Sequence, residues 1–163
     1  MLRVATIGVY GWTLEQFLEV LSRARVSCLL DVRQRRGVRG PEYSWANSQR
    51  LQRALAEAGI RYEHHIELAP TTELRHLQYA DDDRQRVGKR SRVALAPEYA
   101  ERYRVEILGP VDLEPLVSSL PSEGATAIFC VERDPEACHR SILAARIGFE
   151  FDATVEHLLP PVE

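Results

Sequence analysis

The sequence has few of the features that mark secreted or membrane proteins. It contains three cysteines in 163 residues, too few and odd in number for a disulfide framework, which favours a reducing compartment. No apolar run approaches the roughly 20 residues that a membrane-spanning helix needs. Met1 leads directly into a strand-like segment, without a secretory leader. We therefore expect a cytoplasmic protein without a membrane partner.

Lysine is almost absent, and Lys89 is the only one among 21 basic residues. The rest are arginines, whose forked guanidinium groups are suited to phosphate and carboxylate. The formal net charge of −3 excludes a uniformly basic, histone-like binder. Binding to nucleic acid would therefore depend on local basic loops.

The length and the hydrophobic pattern predict one α/β domain over residues 1–163. A hydrophobic content of 45% is ordinary for a globular domain of this size. Apolar runs at 4–9 and 26–30 flank a helix that opens with the capping box Thr13-x-x-Gln16. Strand, helix and strand in this order are typical of a parallel βαβ unit. We expect a three-layer, Rossmann-like domain with a mainly parallel central sheet of about five strands.

The remaining chain supplies further predicted elements and one irregular segment. Leu51 and Leu55 indicate a helix that ends at Gly59, and residues 60–67 alternate as a strand does. Residues 69–97 are polar and charged without periodicity, so we expect them to be irregular. The later pattern predicts a helix after 97, a helix near 112, a strand over 125–130, a helix from 135 to 147 closed by Gly148, and a strand over 153–158.

Polar residues follow three of the predicted strands at the point where each strand ends. Tyr10 and Gly11 follow the first strand, Asp31 and Arg33 the second, and the run 130–140 the third. The carboxyl ends of parallel strands meet at one edge of a sheet, where ligands bind. The sequence therefore predicts one site at that edge.

These motifs resemble a known family, the domain of unknown function 488. The resemblance covers nearly the whole chain and rests on Asp31-Val32-Arg33, on the run 59–64, and on Cys130-x-Glu132 with Cys138-His139-Arg140. It implies an α/β fold and a pocket common to the family, with no established reaction.

Four side chains in these motifs are candidates for catalysis. Asp31 fits a general base, and its alternative role is to pair with Arg33. Glu132 offers the same carboxylate chemistry. His139 is the best proton carrier because imidazole titrates near neutrality, although it can instead bond a loop carbonyl. Cys138 fits an activated thiolate at a helix start, but burial as a small core residue is the interpretation that we favour.

The same helix start is a predicted anion site. Free backbone N–H groups there favour anions, and Arg33, Arg133 and Arg140 would hold a phosphate or a carboxylate. The alternative is an internal pair with Glu132 or Glu136.

A second group of binding residues lies in arginine-rich loops. Tyr43 and Trp45 lie in a span that holds six arginines: Arg33, Arg35, Arg36, Arg39, Arg50 and Arg53. Arginine beside aromatic rings suits a nucleic-acid backbone and stacked bases, and the run 84–92 adds another basic segment. The alternative is a solvated surface balanced by the acidic run 81–83.

No metal ion and no cofactor are predicted. A metal site from Cys130, Cys138, His139 and a strand histidine is the less favoured alternative, because the spacing lacks a paired Cys-x-x-Cys element. Gly8-x-x-Gly11 is too short for a dinucleotide fingerprint.

The favoured function is an enzyme acting on a phosphate-bearing substrate, a nucleotide or a nucleic acid. Hydrolysis of a phosphoester or glycosidic bond fits the carboxylates and the histidine. The alternative is a non-catalytic nucleic-acid-binding module that uses the arginine loops. A third hypothesis, a redox or transfer protein, requires a reactive Cys138. The sequence makes no prediction of the oligomeric state.

Overall fold

Five parallel strands form the centre of the computed structural model, which describes residues 1–162. The strands are β1 (Arg3–Ile7), β2 (Val26–Asp31), β3 (Arg61–His64), β4 (Ala125–Phe129) and β5 (Thr154–His157). They lie in the order β3-β2-β4-β1-β5, and every neighbouring pair is parallel. The predicted α/β fold class and its parallel sheet are therefore confirmed.

Six α-helices connect and cover the strands within residues 1–162. They are α1 (Leu14–Arg23), α2 (Ser48–Glu57), α3 (Thr72–Gln85), α4 (Pro97–Arg102), α5 (Glu114–Ser119) and α6 (His139–Phe151). The predicted capping box of α1 is present, since Thr13 Oγ1 accepts from Gln16 N and Gln16 Oε1 accepts from Thr13 N. No helix within residues 1–162 is long and apolar enough to cross a membrane.

The position of each strand explains its composition. All five residues of β4, at the centre of the sheet, are buried, whereas all four residues of the edge strand β5 are exposed. Helices cover both faces of a parallel sheet, so its central strands are continuous apolar runs. Phe17 of α1 packs against Phe129 at the end of β4, with ring centroids 5.6 Å apart.

The expectation of an irregular segment over 69–97 is wrong for about half of its length, because α3 occupies residues 72–85. Thr71 caps this helix by accepting from Leu74 N. The buried face of α3 is partly polar: Gln78 and Asp82 are buried beside Leu74. A helix that buries polar side chains has no apolar period, which is why the pattern did not predict it.

The predicted helix over 135–147 also needs correction. Residues 135–137 form a separate 3-10 turn, and α6 begins at His139 and continues through Gly148 to Phe151. A Cβ on Gly148 would lie 3.1 Å from Val155 Cγ2. Gly148 therefore allows β5 to pack closely against α6 and does not end the helix.

Candidate functional site

The three polar turns that the sequence singled out meet at one edge of the sheet. Val9 N and Tyr10 N both donate to Val131 O, at 2.9 and 3.1 Å. His139 Nε2 donates to Val32 O at 2.8 Å, which joins the third turn to the second. The predicted convergence of β1, β2 and β4 is confirmed, because these strands are parallel and adjacent in the sheet.

This edge opens into a cleft of about 790 Å³. The floor consists of residues 130–132 and His139, at the end of β4 and the start of α6. The walls come from the loop 33–39, from residues 70–79 at the start of α3, and from the loop 88–92. Residues far apart in the sequence thus enclose one space above the strand ends.

The cleft is strongly basic. Seven arginine and lysine side chains line it, whereas Glu132 is the one carboxylate in its lining among residues 1–162. Three of the seven are in ion pairs, namely Arg33, Arg90 and Arg92. The other four have no ion-pair partner in the described part of the chain: Arg35, Arg39, Arg75 and Lys89. This excess of positive charge contrasts with the net charge of −3 for the whole chain.

Lys89 and Glu132 both line the cleft, and each charge shifts the pKa of the other group. Burial alone would lower the pKa of Lys89, but the carboxylate of Glu132 raises it, and the net shift is upward. Burial raises the pKa of Glu132, against the opposing effect of Lys89 and Arg92. Arg92 Nη1 donates to Glu132 Oε1 at 3.1 Å. Glu132 is therefore a buried carboxylate that accepts from Arg92 and is influenced by the charge of Lys89.

Two tyrosines and an arginine close one side of the cleft. The rings of Tyr10 and Tyr43 are 5.2 Å apart, and the Arg90 guanidinium lies 5.3 and 5.0 Å from their centroids. Arg90 also donates to Arg39 O at 2.9 Å, so it links the loop 88–92 to the loop 33–39. Gly11, at φ +94°, donates its N–H to the Tyr43 hydroxyl at 3.0 Å. Tyr10 and Arg39 line the cleft, and Tyr43 supports Tyr10 from behind.

A cluster of two thiols and an imidazole lies at the floor. His139 Nδ1 is 3.8 Å from Cys130 Sγ and 3.9 Å from Cys138 Sγ. All three residues are buried, as expected for Cys138. Burial alone would raise the pKa of Cys138, but the Cys130 thiol and the charges of His139 and Arg140 lower it well below its usual value. Burial and the neighbouring Cys138 raise the pKa of Cys130.

Asp31 is fully buried and pairs with Arg33. Its two carboxylate oxygens accept from Arg33 Nε at 2.9 Å, from Arg33 Nη2 at 2.8 Å and from the Tyr62 hydroxyl at 2.6 Å. Arg33 Nη1 donates to Ala46 O. Asp31 does not line the cleft. This is the alternative role considered for Asp31, and it leaves the predicted general base without a free oxygen facing the cleft.

Arg133 and Arg140, which were predicted to bind an anion at the helix start, do not line the cleft. Arg140 is completely buried, and it donates to Glu132 O at 2.6 Å and to Arg133 O at 3.2 Å. It holds the turn after β4 from within the protein. Arg133 is exposed, its Nη1 lies 3.6 Å from Asp134 Oδ1, and it does not line the cleft.

Several lining residues were not among the predicted site residues. They are Arg35, Arg75, Tyr79, Lys89, Arg92 and Cys130. Arg35 and the basic run 84–92, which contains Lys89 and Arg92, belong to the predicted arginine-rich loops, which the sequence did not assign to this cleft. The position of the run 84–92 relative to the strand ends is determined by α3, a helix that the hydrophobic pattern did not predict.

Comparisons with known proteins give one match. A family model described as Domain of unknown function DUF488 matches residues 13–147. The matched span includes every residue that lines the cleft except Tyr10. No curated protein and no solved structure gives a significant match.

Proposed function

Since this chain belongs to the family of the domain of unknown function DUF488, we infer its activity from its own cleft. We propose that it is an enzyme acting on a phosphate-bearing substrate, which is a nucleotide or a nucleic acid. The observation that carries this proposal is the group of cations around the cleft that have no ion-pair partner within residues 1–162. A site lined by one sign of charge between low-dielectric walls attracts ligands of the opposite charge.

The phosphate groups would bind to these cations. Arg35 and Arg39 are exposed on the loop 33–39, and Lys89 lies on the loop 88–92. Guanidinium groups bind phosphate oxygens through paired, charge-assisted hydrogen bonds, and the lysine ammonium adds a compact charge. The cleft volume of about 790 Å³ lies within the usual range for small-molecule sites, about 300–1,000 Å³.

The aromatic residues of the cleft suit the base of a nucleotide. Tyr10 and Tyr79 line the cleft, and each has an arginine guanidinium over its ring: Arg90 at 5.3 Å and Arg75 at 5.6 Å from the ring centroid. Planar bases stack on tyrosine rings and on guanidinium planes without a strict sequence requirement. Simple inorganic phosphate would use only the cations.

Glu132 is the group best placed for hydrolysis. It is the one carboxylate that lines the cleft within the described residues. Arg92 donates to it, and Lys89 lines the same cleft and affects its pKa. A carboxylate on the floor can orient and deprotonate a water molecule, while Lys89 stabilises the negative charge that develops on the phosphate or on the leaving oxygen. His139, 2.8 Å from Val32 O, is held in place beside it.

Binding can be measured with a panel of fluorescent nucleoside mono-, di- and triphosphates and a labelled single-stranded oligonucleotide. Lys89→Met and Arg35→Gln should each weaken binding about tenfold or more, because each removes a charge-assisted contact. Arg23→Gln is the matched control, since this exposed arginine lies on α1, outside the cleft. Equal affinities of all three variants and the wild type would contradict the proposal.

Turnover distinguishes the enzyme from the alternative, a non-catalytic nucleic-acid-binding module. Glu132→Gln keeps the volume of the side chain and should abolish release of product while the substrate still binds. Binding without turnover in the wild-type protein, across the panel, would favour the binding module.

A further inference from the structure

We propose that Cys130, Cys138 and His139 form a binding site for Zn²⁺, with a fourth coordination position that opens into the cleft. This inference goes beyond the proposed function, because it concerns the thiol–imidazole cluster and does not depend on which substrate binds above it. The proposal rests on the distances between the three donor atoms, on the orientation of the imidazole and on the position of the cluster.

The three donor atoms are already close to the spacing of a tetrahedral zinc site. Nδ1 of His139 is 3.8 and 3.9 Å from the two sulfurs, and all three atoms lie within 4.8 Å of one another. Zn–S bonds of about 2.3 Å and a Zn–N bond of about 2.0 Å at tetrahedral angles place sulfur and nitrogen about 3.5 Å apart and two sulfurs about 3.8 Å apart. An ion therefore fits after small side-chain movements.

The imidazole is oriented as it is in zinc sites. Nε2 of His139 lies 2.8 Å from Val32 O, and a carbonyl oxygen only accepts, so Nε2 carries the hydrogen. In the neutral imidazole, which is the form that binds a metal, the lone pair of Nδ1 is then directed toward the two sulfurs. A metal-binding histidine almost always donates its other N–H in this way to a carbonyl or carboxylate, which fixes the tautomer and the ring.

The position of Cys138 at the start of a helix also favours the thiolate form in which a cysteine binds zinc. Cys138 is the N-cap residue of α6, a helix of 13 residues, and the free N–H groups and the dipole of a helix start favour a thiolate. Two thiolates and one imidazole around a divalent ion make a site without net charge. A neutral site avoids the cost of leaving uncompensated charge in the interior.

The site faces the cleft on one side only. Cys130 and His139 line the cleft, whereas Cys138 lies behind them. Glu132 Oε2 is 3.8 Å from Cys130 Sγ, close enough to approach a bound ion or to hydrogen-bond a water on it. Three protein ligands with one open position are typical of catalytic zinc, whereas structural zinc has four protein ligands.

This inference revises the expectation of no metal. That expectation came from the absence of a Cys-x-x-Cys pair. The 3-10 turn over 135–137 brings the start of α6 back to the end of β4, so that residues eight positions apart become neighbours.

The experiment uses the full chain, reduced, treated with chelator and then titrated with Zn²⁺ or with Co²⁺ as a spectroscopic probe. We expect one equivalent of either ion and an intense thiolate-to-cobalt charge-transfer band. Cys130→Ser and Cys138→Ser should each weaken Zn²⁺ binding at least about 100-fold, since removing a ligand exceeds the effect of a neighbouring hydrogen-bond partner. Cys28→Ser is the matched control, because Cys28 is buried and free but lies outside the cluster.

Two results would overturn the proposal. One is the absence of a cobalt–thiolate band in the reduced wild-type protein. The other is a band of equal intensity in Cys130→Ser and Cys28→Ser. X-ray absorption of the zinc-loaded wild type gives a check that does not depend on whether a variant folds, and it should show two sulfur ligands and one nitrogen ligand. Nucleotide binding is measured on separate samples, so either proposal can fail alone.

Discussion

Replacing Asp31 by asparagine should destabilise the protein severely, although the two side chains have nearly the same shape. The substituted side chain would keep an oxygen for Arg33 N and Nε, but its amide would face Arg33 Nη2 and the Tyr62 hydroxyl, which now donate to Asp31 Oδ2. The guanidinium of Arg33, whose side chain is 1% exposed, would stay charged without a counterion. Breaking a buried pair in this way costs about 3–5 kcal/mol.

Urea unfolding followed by tryptophan fluorescence measures this loss. With a slope of about 2 kcal/mol per M, the midpoint should fall by roughly 1.5–2.5 M. Glu19→Gln is the control, because it removes an ion pair on the surface: the Glu19 side chain is 59% exposed and that of Arg23 is 75% exposed. This substitution should lower the free energy of unfolding by less than about 0.5 kcal/mol. A loss below about 1 kcal/mol for Asp31→Asn, together with loss of turnover, would refute the structural role and restore the predicted general base.

Two further predictions concern the backbone and the pH dependence. Gly8→Ala should lower the unfolding midpoint and weaken turnover, because a Cβ would lie 2.0 Å from Glu132 O and push the cleft floor away; unchanged kinetics would contradict this. For His65, burial alone would lower the pKa, but hydrogen bonds to Glu63 and Glu67 raise it. Its contribution to the free energy of unfolding is therefore full below about pH 6.5 and is lost as the pH rises through the folded pKa. His65→Gln should flatten that fall in urea titrations at several pH values.

The parts of the fold that could be predicted from the sequence are the elements that bury apolar side chains. The runs that became β1, β2 and β4 are continuous because both faces of the sheet are covered. Helix α3 could not be predicted, because Gln78 donates to Asp82 and accepts from Ala96 N. Buried hydrogen bonds leave no periodic signal in a sequence.

The candidate site could be predicted in its location but not in its lining. The carboxyl ends of parallel strands lie at the same edge of a sheet, so the position of the site followed from the prediction that the strands are parallel. Which arginines face the cleft depends on tertiary contacts, and these cannot be deduced from the order of residues in the sequence. Arg33 pairs with Asp31, two residues away, whereas Lys89 and Glu132 are 43 positions apart in the sequence and are brought to the same cleft by the fold.

The arginines near the cleft therefore divide into two functional groups. Arg140 spans two carbonyl oxygens with its two terminal nitrogens, which a single lysine ammonium cannot reproduce. Arg140→Lys should cost about 1–3 kcal/mol in urea unfolding, because a buried carbonyl loses its donor. Arg35→Lys should leave stability unchanged and alter only ligand affinity, since Arg35 is exposed and has no ion pair within residues 1–162. Equal losses of stability for the two variants would show that the buried arginine does not hold the cleft floor.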